Sequence, residues 1–243
     1  MKDTPAIYLG TASWSLPREQ WPAFPVEGTH LQRYAGRFGA VEINSSFYRP
    51  HRPATYAKWA ASVPEAFRFC VKVPKQITHQ QKLIGCEALL ERFLHECEHL
   101  GEKLGCLLVQ LPPSLVFDPP RAEDFLDALR ARFEGSIAIE PRHPTWLQAD
   151  ALLQQARIGR VAADPAPFAE SAEPGGWSGL RYYRLHGSPR IYYSTYEADR
   201  LDALAVRLTG ECSKAIQWCI FDNTASGAAT ADALALQGRL LQI

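Results

Sequence analysis

The chain has 243 residues, 47% of them hydrophobic, which suits one folded domain with a sizeable core and argues against disorder. Its 26 basic and 26 acidic residues cancel, so nucleic-acid binding by bulk charge is disfavoured and only a local basic pocket is left for an anion. No run is long and apolar enough to cross a bilayer, and the opening MKDTPAIYLG lacks the apolar stretch of a signal peptide.

The elements follow in order. Ile7–Trp14 (IYLGTASW) reads as a first strand. A proline-rich loop carrying Trp21 and Phe24 leads to a helical stretch around Leu31–Phe38. Ala40–Tyr48 is a second strand, Thr55–Ala61 a short helix, and Phe67–Val73 a third strand that runs into PKQITH. Cys86–Leu104 has the apolar stripe of a long amphipathic helix. Cys106–Leu111 is a fourth strand stopped by Pro112 and Pro113, and Glu123–Phe133 a helix. The fifth strand opens IAIEPRHPTW at Ile137 and ends where Pro141 and Pro144 bracket Arg142 and His143. Then come helix Ala149–Ala156, strand Ile158–Asp164, strand Leu180–Gly187, helix Tyr196–Leu208, strand Trp218–Thr224 and helix Ala228–Leu241.

Eight strands alternating with helices over this length predict an α/β fold of one domain, residues 1–243: a single (β/α)8 TIM barrel. The connection between strands six and seven is irregular, because Pro165–Gly179 is rich in Pro, Gly and Ala. An open doubly wound sheet is the alternative, but it wants a glycine-rich phosphate turn after the first strand, and GTASW is not one.

Strand side chains alternate between faces, which sorts the candidates. Val41 and Ile43, Phe69, Val71 and Val73, Leu107 and Val109, Ile137 and Ile139, Val161 and Ala163, and Tyr183 and Leu185 would face the helices. Glu42 and Asn44, Cys70 and Lys72, Leu108 and Gln110, Ala138, Glu140 and Arg142, Ala162 and Asp164, and Tyr182, Arg184 and His186 would face inward. On the last strand either Asp222 or Asn223 points in. Polar groups thus gather at the C-terminal ends of the strands, where such barrels keep their active sites. The bland alternative is an ion-pair network that fixes the register of the barrel.

Three other signals weigh less. His95–His99 reads HECEH, a zinc-protease pattern, but the stripe of Phe93, Cys97 and Leu100 puts both histidines on the solvent side. Glu140, Asp164 and His186 have the chemistry of a metal site, yet Lys72, Arg142 and Arg184 share their face and would compete for the carboxylates. Neither a metal nor a cofactor is expected. The six cysteines, Cys70, Cys86, Cys97, Cys106, Cys212 and Cys219, show no CxxC spacing and read as buried free thiols of a cytoplasmic protein.

The motifs GTASW, VEINSSFYRP, F-x-F-x-VK-x-P-x-x-ITH at Phe67–His79, QLPPS, IEPRHPTW, AAD, YRLHG and FDNTASGAA span nearly the whole chain. Together they resemble the YecE-like family, domain of unknown function seventy-two. The resemblance implies a TIM barrel and carries no established reaction. The family pattern has a second Asn where this chain has Asp222.

The functional expectation is an acid/base enzyme acting on a small anionic or sugar-like substrate. Glu140 and His186 would transfer protons, and Lys72 would serve as electrophile or amine. Arg142 and Arg184 would clamp an anion, with Glu42, Asn44, Tyr48, His143, Asp164 and Asn223 around the ligand. The rivals are a nucleotide or RNA binder without turnover, reading bases on mouth aromatics, and a metal-dependent hydrolase or isomerase. The loops Ser15–Gly28 and Pro165–Gly179 would serve as lids or plain connectors. Neither a membrane nor a protein partner is indicated.

Overall fold

The computed structural model describes residues 7–210 and 215–242; Cys212 lies outside them. The strands are β1 (Ile7–Thr11), β2 (Ala40–Ile43), β3 (Arg68–Lys72), β4 (Leu104–Gln110), β5 (Ser136–Glu140), β6 (Gly159–Arg160), β7 (Ala162–Asp164), β8 (Gly175–Gly176), β9 (Leu180–Leu185) and β10 (Ile216–Phe221). The helices are α1 (His30–Ala35), α2 (Pro53–Ala61), α3 (Glu87–Cys97), α4 (Pro119–Arg130), α5 (Asp150–Gln155), α6 (Ala198–Gly210) and α7 (Ala228–Leu240). The fold is mixed α/β with parallel sheets. One sheet has the order β1-β10-β9-β7 and the other β2-β3-β4-β5-β6-β8; among the described residues the β6–β8 pair alone is antiparallel.

Two joints connect the sheets. Ala12, just past β1, bridges in parallel to Glu42 of β2, and the Ser13 amide donates to the Glu42 carbonyl at 3.0 Å. At the other side, β6 pairs with β5 and β7 pairs with β9, while Val161 between them donates to the Ile139 carbonyl at 2.9 Å.

Local chemistry sets the boundaries. Thr29 and Gln32 form a reciprocal cap at the start of α1. α4 begins at Pro119, four residues before the expected Glu123, because Asp118 caps the Arg121 amide and Pro is well suited to the first helical turn. The long helix expected over Cys86–Leu104 is broken. α3 stops at Cys97, and Gly101 turns the chain with φ 58°, so β4 starts at Leu104.

The expected parity holds on β2, β3, β4, β5 and β9. Val41, Ile43, Phe69, Val71, Leu107, Val109, Ile137, Ile139, Tyr183 and Leu185 pack in the cluster shared with the helices. The opposite faces of both sheets meet in a second cluster of Ala12, Ala40, Cys70, Cys106, Leu108, Ala138, Val161, Leu180, Tyr182, Trp218 and Ile220. Residues 158–164 reverse the expected parity: Val161 belongs to this inner cluster, and Ile158 and Ala162 face the helices. Arg160 explains it. Its guanidinium reaches outward to Asp150 of α5 at 2.8 Å and to the carbonyls of Glu170 and Glu173, which fixes the even positions on the helix side. These contacts hold Glu170 and Glu173 on the outer side, while Gly175–Gly176 pair with β6 at the edge of the sheet. Trp218 and Tyr182 stack 6.0 Å apart at the base of the inner face, with Trp177 and Tyr8 against them.

Candidate functional site

Directly above these rings the inner face turns ionic. Arg184, on β9, is fully buried, and each of its nitrogens is engaged. Nε donates to Glu42 Oε2 at 3.1 Å and Nη2 to Glu42 Oε1 at 2.7 Å; Nη2 also pairs with Asp222 at 3.0 Å. Nη1 donates to Glu140 Oε2 at 3.1 Å and, weakly, to Gln110 Oε1 at 3.5 Å. Tyr182 donates its hydroxyl to Glu42 Oε2 at 2.8 Å. A guanidinium committed in every direction has nothing left for a ligand. Arg184 is therefore the keystone of the network and not the anion clamp that its position in the sequence suggests.

Glu140, at the end of β5, is equally buried. Its Oε1 meets Arg142 Nη2 at 2.6 Å and His186 Nε2 at 2.9 Å. Burial pushes its carboxyl pKa up, but Arg142, Arg184 and His186 outweigh burial and hold it well below the usual range. A carboxylate so held is a weak base at neutral pH, so Glu140 serves as a fixed counter-charge. His186 also meets Asp222 Oδ2 through Nδ1 at 3.0 Å, so a doubly protonated ring donates to a carboxylate on each side. A ring protonated on Nδ1 alone keeps Asp222 and accepts at Nε2 from Arg142, 2.9 Å away. Arg142 is 13% exposed, and its buried Nε has no partner among the described residues. Of the two arginines it is the one with donors to spare.

Lys72 is the odd member. It is 5% exposed, yet among the described residues its ammonium has no hydrogen-bond or ion-pair partner and stands over the Phe47 ring, 4.3 Å from the centroid. Burial and then Arg184 bring its pKa down to about 8, against the pull of Glu42, Asp222 and Glu140. His79 packs edge-on against the same Phe47 ring at 5.0 Å, and burial followed by the Lys72 charge lowers its pKa.

A cavity of about 200 Å³ lies between the segments that follow β1 and β2, lined by Ser13, Trp14, Ser15, His30, Ile43, Asn44 and Ser45. Asn44 follows β2 directly, and its Oδ1 is buried with no partner among the described residues. Ser13 holds φ at 108°, a costly conformation for a residue with a side chain.

Residues 8–242 match the model of the family described as protein of unknown function DUF72. The chain belongs to the DUF72 family. Among curated relatives, the UPF0759 protein YecE of Escherichia coli K12 is 33% identical over 171 residues, 66% of this chain and 60% of YecE. The UPF0759 protein YunF of Bacillus subtilis 168 is 32% identical over 114 residues, 44% of this chain and 40% of YunF. These matches thus span less than two thirds of either relative. A DUF72 family protein from Enterococcus faecalis V583 superposes with a TM-score of 0.81 at 23% identity, over 97% of this chain and 96% of that one. Another, from Thermotoga maritima MSB8, gives 0.75 at 24% identity, over 97% and 99%. At such identity these structures speak for the fold alone.

In this DUF72 chain, Glu42, Lys72, Glu140, Arg142, Arg184 and His186 come together as the sequence suggests. Four other expected residues do not. Asp164 shares the reversed parity of its strand: it pairs with Leu185 in register and takes Arg200 of α6 at 2.7 Å on the outer side. The trio Glu140, Asp164 and His186 is therefore not assembled, and no group of three or more His, Cys, Asp or Glu among the described residues is placed to hold a metal. Asn223 turns outward, donating to Asp232 at 2.6 Å and to the Ser194 carbonyl at 2.8 Å. His143 caps the turn after β5, accepting from the Thr145 amide at 3.3 Å. Tyr48 is 66% exposed, beyond the buried groups, with its ring near Lys75. The sequence reading left Asp222 open, although Trp218 and Ile220 give its phase, and it passed over His79; it faced Tyr182 inward without giving it a partner, and took Tyr192 only as one of the mouth aromatics. Tyr192 meets the His186 ring edge-on at 5.8 Å from a loop with no periodicity to mark it. His95 and His99 lie on the solvent side of α3 and its extension, as expected, with His95 bonded to Glu98 at 2.8 Å.

Proposed function

We propose that this protein is a cytoplasmic enzyme that uses acid/base chemistry on a small anionic or sugar-like molecule at the C-terminal mouth of a (β/α)8 barrel. Closure of the barrel is supported by the Ala12–Glu42 bridge, by the partners that residues 159–164 have in both sheets, and by the inner cluster the sheets share. A reducing compartment is supported by five buried free thiols.

The observation that carries the reading is that Lys72 has no partner among the described residues, beside a network in which Arg184 is saturated and Arg142 keeps an unpartnered Nε. A purely structural network has no use for an extra buried cation, whereas an amine with a pKa of about 8 exchanges protons near neutrality. Arg142 supplies the spare guanidinium donors for an anion, and Asn44 an acceptor for a hydroxyl. Glu140 and His186 orient Arg142, and Asp222 holds the His186 ring from its other side. Binding without turnover is the second reading, favoured by the half-exposed Tyr192 and Tyr193, the latter stacked by Arg190 at 3.9 Å.

The test is a thermal-shift screen of sugars, sugar phosphates, hydroxy acids and nucleotides, followed by product analysis for any that bind. Enzyme action predicts that a sugar or anion raises the melting temperature and is converted, and that Lys72→Met abolishes conversion. A nucleotide that binds unchanged would establish the second reading instead.

A further inference from the structure

The chain is neutral as a whole, but its charge is not spread evenly. From Ile43 to Cys86 it carries seven lysines and arginines against a single acid, Glu65, which precedes β3. Strands β2 and β3 are parallel neighbours, so the segments that follow them, residues 44–52 and 73–86, leave the sheet at the same end. These two segments hold Arg49, Arg52, Lys75 and Lys82 and no Asp or Glu. Arg49, Arg52 and Lys82 are exposed and Lys75 is partly so, and none has an ion-pair partner among the described residues. A local excess of this kind attracts anions whatever the net charge of the chain.

The two segments are packed into one surface. Ser46 donates its hydroxyl to the Lys72 carbonyl at 2.6 Å, Phe47 meets the His79 ring edge-on at 5.0 Å, and the Lys75 ammonium stands 5.7 Å from the centre of the Tyr48 ring. His51 holds the first segment down: its Nε2 lies 2.8 Å from the Ser45 hydroxyl, and its ring packs against Trp59 of α2 at 5.0 Å. Tyr48 is propped by Phe47 at 5.0 Å in an edge-on contact, yet it is 66% exposed. A fixed aromatic ring facing water beside unpaired cations has lost its freedom before any partner arrives.

The aromatic ring decides between polyanions. In a single strand the bases present flat faces that stack on such a ring whatever their sequence, while the phosphates take the cations. A duplex hides those faces, and an acidic peptide has none to offer, so either would use the cations and leave Tyr48 idle. We propose that the segments after β2 and β3 form a docking surface for single-stranded nucleic acid, with a base stacked on Tyr48 and flanking phosphates on Arg49, Arg52, Lys75 and Lys82. The surface lies outside the buried cluster, and its occupancy does not depend on the reaction proposed there.

The experiment is fluorescence anisotropy with the intact chain and a labelled oligouridylate about 12 nucleotides long, a length within the span of one such site. Neutralising about three phosphates gives a slope of about −2 in log affinity against log salt, so raising salt from about 50 to about 200 mM should weaken binding at least roughly tenfold. Tyr48→Ala should weaken binding at fixed salt at least roughly fivefold and leave the slope alone, and Tyr48→Phe should bind like wild type. Arg49→Gln combined with Lys75→Gln should flatten the slope by about 1.4. Arg132→Gln removes an exposed arginine between α4 and β5, at the other end of the strands, and should change neither quantity. Absence of saturable binding at the lower salt would overturn the proposal. So would a Tyr48→Ala variant that binds like wild type, or an Arg132→Gln variant that loses as much as the double variant. Equal affinity for polyglutamate of similar length would assign the surface to an acidic protein segment instead, and equal affinity for a duplex would remove the stacked base.

Discussion

Arg184 and Glu42 meet edge to edge, guanidinium against carboxylate, with two hydrogen bonds of 3.1 and 2.7 Å and neither side chain exposed to water. The pair joins β9 to β2, strands of different sheets. Buried ions are costly to form but costlier to leave single, so removing one partner should destabilise by about 3–5 kcal/mol. Glu42→Gln keeps the shape and removes the charge. Urea denaturation should show a loss in that range. A loss under about 1 kcal/mol would mean that the pair is hydrated in solution and does not tie the sheets together.

Tyr182 adds its hydroxyl to the same carboxylate at 2.8 Å, from a ring stacked on Trp218. Tyr182→Phe keeps the stack and removes one hydrogen bond to a charged acceptor, worth about 1.5–3 kcal/mol. The two substitutions touch one carboxylate, so they should not add. The double variant should be less destabilised than the sum of the singles by at least about 0.5 kcal/mol, measured in the same denaturation series.

How far the site was legible depends on what marks a side chain's direction. On β2, β3, β5 and β9 the alternation of large apolar residues fixes which side faces the helices, so Glu42, Lys72, Glu140 and Arg184 follow from phase alone. Between Ile158 and Asp164 the phase misleads. Val161 looks like an outward residue, but the inner layer beneath Arg184 is apolar and takes it, and Arg160 is drawn outward by Asp150 and by carbonyls far along the chain. That tertiary pull leaves no local trace. Nor does sequence tell which arginine is saturated. Arg142 and Arg184 look alike until their neighbours are counted.

The reversal at Asp164 has a consequence that separates it from Asp222. Asp164 pairs with Arg200, whose side chain is 63% exposed, and exposed pairs contribute little. Asp164→Asn should shift stability by less than about 1 kcal/mol and leave ligand-induced thermal shifts unchanged. Asp222 is buried between His186 and Arg184, which together with Lys72 outweigh burial and lower its carboxyl pKa. That stabilisation is present above the unfolded carboxyl's pKa and is lost as pH falls through the folded one. Asp222→Asn should therefore destabilise at neutral pH by about 3 kcal/mol or more, and the gap from wild type should narrow in acid. Equal effects of the two substitutions would place Asp164 back in the cluster.

Lys72 makes the opposite demand on pH. Its pKa falls from 10.5 in the open chain to about 8 in the fold, because burial, helped by Arg184, disfavours the ammonium. Below the folded value both states are protonated and the whole cost of the buried charge is present, about 3 kcal/mol. Across the window from about 8 to 10.5 the unfolded chain holds the extra proton, so stability rises with pH; above it the cost is gone. The other groups facing the amine do not imitate this. Glu140 and Asp222 are held below the ordinary carboxylate range, burial followed by the Lys72 charge lowers His79, and burial followed by the Asp222 charge keeps Tyr192 above its ordinary value. Lys72→Met removes the charge and keeps an unbranched apolar chain against Phe47. The variant should be the more stable protein at neutral pH, and its advantage should shrink steadily through that window. Denaturation of both proteins at matched pH values reads the difference directly. A constant advantage would mean that Lys72 stays protonated throughout, and that its ammonium serves as a fixed charge with no amine chemistry to offer.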